Sequence, residues 1–203
     1  MAPWRRMPAW AAALAAALLS FSCATGSVLN VTYQLPGPGA PLSAREIALA
    51  VEDARGERTL LTPRARQELE GVSEVFALTV AAPGREAELR GAFPLEPLLQ
   101  EILRLRLEQA GIRVGRTPSP EARLVLALQE WRLDFGDRRW TASIAFETRI
   151  ERGAAVASRQ SVRGAAERMM IRRKADAEKV LSEILTDAVN QLDLAGLLRQ
   201  AGL

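Results

Sequence analysis

One cysteine, Cys23, and a complete lack of histidine bound the chemistry open to this chain of 203 residues. Without histidine, Ser-His and Cys-His nucleophile pairs and His-based metal sites are excluded, and a lone cysteine excludes an intramolecular disulfide and a thiolate metal cage. Paired carboxylates would be the remaining catalytic device. Glu147 and Glu151 share a strand face, but at strand rise they stand roughly 13 Å apart, beyond the roughly 5 to 9.5 Å of glycosidase pairs. No phosphate loop exists either: Gly37 and Gly39 lack a third glycine and a following helix, and Gly111 to Gly115 has no Lys-Ser/Thr. The expectation is a protein that is not an enzyme and that takes no cofactor and no metal.

Three sets of residues remain as candidates for binding. Asp53 and Arg55 share a strand face and could present a guanidinium fork to a carboxylate or phosphate, although a local ion pair fixing the turn is the favoured reading. Trp131 and Trp140 flank a turn, where an aromatic pair could line a groove, but cross-strand core packing is the commoner use. Arg168, Arg172, Arg173 and Lys174 surround Met169, Met170 and Ile171, a combination able to meet anionic headgroups or a protein partner. A solvated loop answered by Asp176 and Glu178 is the favoured alternative there.

The position of Cys23 gives it a use. Residues 1–22 read as an export signal, with Arg5 and Arg6 ahead of the apolar run from Pro8 to Leu19, which as a helix would extend about 18 Å and fall short of a bilayer core. Leu19-Ser20-Phe21-Ser22-Cys23 resembles the lipobox of bacterial lipoproteins, in which the cysteine is acylated and becomes the first residue; here Ser20 and Phe21 stand where Leu and a small residue are usual. Ordinary cleavage after Ser22-Cys23-Ala24 is the competing outcome and would release a soluble periplasmic domain. Lipidation is favoured, because the only cysteine of the chain falls here. By resemblance to enterobacterial sorting, Ala24 after the cysteine implies the outer membrane, with the domain facing the periplasm. Removal of Arg5 and Arg6 with the leader leaves 25 basic against 24 acidic residues, too balanced for a nucleic-acid partner.

The elements that must carry these residues follow from periodicity. Val28 to Leu35 is β-rich and stops at Pro36-Gly37-Pro38-Gly39; Ile47 to Val51 and Val75 to Ala81 are further strands. Leu95, Leu98, Leu99, Ile102, Leu103 and Leu107 recur at helical spacing up to Gly111. Leu124 to Phe135 alternates with a change of phase that predicts a bulge at Gln129-Glu130; Gly136 to Arg139 turns the chain into Trp140 to Ile150, and Arg152-Gly153 turns it again into Val156 to Val162. Val180, Leu181, Ile184, Leu185, Ala188, Val189 and Leu192 form the stripe of a final helix. The order predicts one α+β domain over 28–203, a mainly antiparallel sheet covered on one face by two amphipathic helices, tethered through 23–27.

Taken together, the cysteine, the valine-rich strand, the Asp-x-Arg turn, LLQEILRLRLEQAGIRVG, ARLVLALQEWRLD and KVLSEILTDAVNQLD resemble the YajG-type family of bacterial lipoproteins over most of residues 23 to 203. The segment 56–74 stands out as an insertion. The resemblance implies a membrane partner through N-terminal acyl chains, an envelope protein partner, and a binding or scaffolding role. An auxiliary lipoprotein of a lipid transport system, with an apolar acyl-chain groove, is the first rival; a carboxylate-only hydrolase of envelope polysaccharide is the second.

Overall fold

Leu29, Val31 and Tyr33 are fully buried in β1 (Ser27–Gln34), with Asn30, Thr32 and Gln34 alternating between them, so the period-two pattern becomes a strand with one apolar face. The computed structural model describes residues 27–39, 41–42, 46–115 and 122–203. The leader, Cys23 and the residues up to Gly26 lie outside them. After β1 come β2 (Glu46–Asp53), α1 (Pro63–Glu68), β3 (Val72–Ala81), β4 (Glu88–Phe93) and α2 (Leu95–Gln109). Then follow β5 (Arg113–Gly115), β6 (Arg123–Gly136), β7 (Arg139–Arg152), β8 (Ala155–Met169), α3 (Arg173–Asn190) and α4 (Leu194–Gln200).

The strands divide into two sheets rather than the single one expected. One has the order β1-β3-β4 and the other β5-β2-β6-β7-β8. The pairs β1/β3, β2/β5 and β2/β6 are parallel, whereas β3/β4, β6/β7 and β7/β8 are antiparallel, so both sheets are mixed. Alternation tells which face of a strand is buried, not which strand lies beside it, and β2 finds its partner β6 far along the chain. Four helices, not two, appear among the described residues. The two long ones are those expected. Helix α2 packs on β2 and β5 of one sheet and β3 and β4 of the other, and α3 packs on β1 and on β7 and β8, so each ties the sheets together. One continuous apolar core results, running from Leu29 to Ala201.

The hairpin is as the pattern predicted. Pairing of β6 with β7 shifts register between Leu128 and Glu130, which places the bulge at Gln129. Asp137 and Arg138 close the turn with φ of 51° and 57°, the two positive values that a two-residue hairpin matching strand twist requires. Strand β8 runs on past Val162 to Met169 through Gly164 and Ala166. A Cβ on Gly164 would stand 2.7 Å from Ile184 Cδ1, so the missing side chain is what lets α3 lie close.

Helix α3 also covers the free edge of β1. The N–H groups of Asn30, Thr32 and Gln34 donate to Glu178 Oε1 (2.8 Å), Ser182 Oγ (2.9 Å) and Thr186 Oγ1 (3.2 Å), and Asn190 Nδ2 donates to the Gln34 carbonyl at 2.9 Å. Every fourth residue of the helix therefore meets every second residue of the strand. The Tyr33 hydroxyl, pushed well above its ordinary pKa by burial, donates to Asn190 Oδ1 at 2.9 Å.

Helices α1 and α4, of 6 and 7 residues, are too short for the sequence to show an apolar period. Their starts are nonetheless written in the sequence. Thr62 caps α1, its Oγ1 accepting from Ala65 N at 3.3 Å with Pro63 at the first helical position, and Asp193 caps α4, accepting from Gly196 N at 2.8 Å. Within the segment 56–74, α1 docks on β6.

Candidate functional site

Ser27 opens β1 beside the start of α3, so the end of the domain from which the chain runs back to Cys23 is the end that carries the basic residues. Ser27 N donates to the Gly71 carbonyl at 3.0 Å, and Lys174 Nζ donates to Ser27 Oγ at 2.7 Å. The sequence predicts one loop from Arg168 to Lys174. Arg168 and Met169 instead end β8, Arg172 is the residue before α3, and Arg173 and Lys174 begin the helix.

Three of the four cations are answered by acids. Arg168 pairs with Glu183, Arg173 Nε lies 3.0 Å from Glu68 Oε1 on α1, and Lys174 Nζ lies 3.4 Å from Glu178 Oε1. Arg172 has no ion pair among the described residues. Its main chain is held instead: the Arg172 and Ile171 N–H groups donate to the Asp176 carboxylate, which these bonds keep below the ordinary carboxylate range. Beside the cations, Ile171 is 86% exposed and Met169 61%. Lys174 and Glu178, four apart, could be paired from sequence, whereas Glu68 and Glu183 reach the segment only through the tertiary fold.

The Asp53–Arg55 pair forms as the favoured reading had it. Arg55 Nε and Nη2 donate to Asp53 Oδ1 (2.8 Å) and Oδ2 (3.0 Å), and Nη2 also donates to the Arg58 carbonyl at 2.8 Å. This bidentate contact holds the Asp53 carboxyl below its usual range. Trp131 and Trp140 are both buried: Trp131 stacks on Phe76 at 5.3 Å, and Trp140 packs against Phe135 at 4.7 Å. They belong to the core and do not form an open groove. Of the strand acids Glu147 and Glu151, Glu151 pairs with Arg149 at 2.7 Å, and Arg149 also lies 2.9 Å from Glu52. Among the described residues, the cavity lined by Leu42, Ile47, Ile112, Leu198 and Leu203 measures about 80 Å³, well below the roughly 300 Å³ where small-molecule pockets begin. No helix among these residues is long and apolar enough to cross a membrane.

This architecture is a single α+β domain, and a solved structure shares it. No family model and no curated protein sequence matches the chain. Protein XCC0632 from Xanthomonas campestris, of the DUF330 family, superposes with a TM-score of 0.53 at 16% identity, over 87% of this chain and 96% of its own. A candidate neuraminyllactose-binding hemagglutinin homolog from Helicobacter pylori gives a TM-score of 0.42 at 10% identity, over 84% and 97% of the two chains. At 16% identity the likeness to XCC0632 shows the fold alone.

Proposed function

We propose that the chain is a lipid-anchored bacterial envelope protein, of YajG type, whose domain is held at the periplasmic face of the outer membrane and serves there as a non-enzymatic binding or scaffolding component. The observation that carries this reading is the seat of Ser27 against Lys174. Only Ala24 to Gly26 separate Cys23 from β1, a reach of at most about 14 Å, so acyl chains on Cys23 would bring the start of α3 close to the bilayer. Because three of the four cations are paired, their attraction to anionic headgroups falls below about 1 kcal/mol each. Ile171 and Met169 contribute more, about 1.5 to 3 kcal/mol for each side chain that becomes fully buried. The acyl anchor dominates, and the exposed apolar pair orients the domain.

The test is expression of the full chain in a bacterial host with and without Cys23→Ser, following acyl-chain labelling and membrane fractionation. Labelling and membrane retention that vanish in the variant support the anchor. An unlabelled wild-type protein recovered in the soluble periplasmic fraction and beginning at Thr25 overturns it, and leaves a diffusible binding domain.

A further inference from the structure

Strand β2 runs beside β6 and then leaves it. The last bond of this stretch is Ala54 N to the Leu128 carbonyl at 2.9 Å, and bonding resumes only where Leu133 N donates to the Leu60 carbonyl (2.8 Å) and Thr62 N to the Leu133 carbonyl (3.0 Å). Between these points the loop after Arg55 arches away while β6 bulges at Gln129. The window so framed is a cavity of about 330 Å³, at the lower bound of small-molecule pockets.

Two residues that line it hold buried donors without acceptors. The Arg55 side chain is 5% exposed, and although Nε and Nη2 are committed to Asp53 and Arg58, Nη1 has no partner. Trp131 is 1% exposed, and its Nε1 has none. Donors withdrawn from water and left unpaired are costly, so both call for an acceptor oxygen; neither atom has surface open to the window, so a ligand reaches them only as the lining side chains turn. The charges decide which kind. Arg55 and Arg132 line the cavity together with Glu57 and Glu130, and Asp53 already neutralises Arg55, so an entering anion would find no net positive field. An uncharged molecule that offers oxygens to Arg55 and Trp131 and hydroxyl protons to Glu57, Glu130 and Gln129 matches the lining. From this we infer that the window between β2 and β6 is a binding site for a neutral polyhydroxyl ligand of about the size of one sugar ring. The inference stands apart from the anchor, since it uses no residue of the tether or the basic end.

The mature chain, purified from a bacterial host in a detergent without a sugar headgroup, is titrated with glucose, galactose and N-acetylglucosamine, and with glucuronate as the anionic control. Tryptophan fluorescence and isothermal calorimetry are the readouts. Saturable binding of at least one neutral sugar, at least tenfold tighter than glucuronate, is expected. Arg55→Lys retains a cation for Asp53 but removes Nη1, and Trp131→Phe retains the stack on Phe76 but removes the indole N–H; each should weaken binding about tenfold, with far-UV circular dichroism and urea midpoints reporting the fold of each variant. Absence of saturable binding by the wild type, which would leave water as the acceptor, overturns the proposal. So does glucuronate binding as tightly as the sugars, or wild-type affinity in both folded variants.

Discussion

Thr62 Oγ1 donates to Asp134 Oδ1 at 2.5 Å while accepting from Ala65 N, so one hydroxyl both starts α1 and fastens it to β6. Asp134 is held below the ordinary carboxylate range chiefly by that hydroxyl, Asp53 chiefly by Arg55, and Asp176 chiefly by the Arg172 N–H. A carboxyl whose pKa is lowered by folding stabilises the native state above its unfolded pKa of about 3.9 and loses that contribution as pH falls through the folded value. Stability should therefore hold from neutral pH down to about pH 5 and decline below it. Asp134→Asn should cost roughly 1 kcal/mol at pH 7, and the difference should shrink toward zero below about pH 3. Urea midpoints across this range measure it; a difference independent of pH would mean that the charge on Asp134 contributes nothing. The Asp53–Arg55 pair was readable from sequence because its partners are two residues apart. The spare Nη1 was not, since it depends on where β6 bulges and where Leu60 returns.

Helix α3 was the clearest element in the sequence, yet its apolar stripe describes only one of its faces. The stripe Val180, Leu181, Ile184, Leu185, Ala188 and Val189 was readable because burial repeats with the helix turn. The row Glu178, Ser182, Thr186 and Asn190 looks like an ordinary solvated face until β1 is placed against it. Ser182→Ala removes the acceptor of the Thr32 N–H and should cost about 1 kcal/mol, read as a lower urea midpoint with an unchanged slope. A second readout bears on the edge itself: a β1 edge released from α3 offers unpaired groups to another chain, so light scattering on warming should rise earlier in the variant. Unchanged midpoint and scattering would show that solvent replaces the serine without loss. Short elements were missed for the converse reason. Helices α1 and α4, of 6 and 7 residues, and β5, of 3, are too brief for a period to declare itself, and only caps such as Thr62-Pro63 and Asp193 announce the helices.

Two sheets sharing one core should melt together. Because α2 and α3 each touch both sheets, neither sheet keeps its apolar face covered if the other opens. Far-UV circular dichroism, which follows the whole backbone, and near-UV circular dichroism, which follows the buried Trp131 and Trp140, should give coincident thermal transitions; separated transitions would show that the three-stranded sheet is an independent unit. The division into sheets escaped sequence reading, since pairing partners are set by packing across the chain and leave no local period. The meeting of α3 with β1 has a limit built into it as well. Four helical residues advance about 6.0 Å, while two strand residues advance about 6.7 Å, so the two rows slip by roughly 0.7 Å at each step, like the offset graduations of a vernier. The contacts lengthen in that order, 2.8, 2.9 and 3.2 Å, and the next strand position in the series is Pro36, which has no N–H to offer. The two rulers agree over one short window and in one alignment, which fixes how far the helix can slide along the strand.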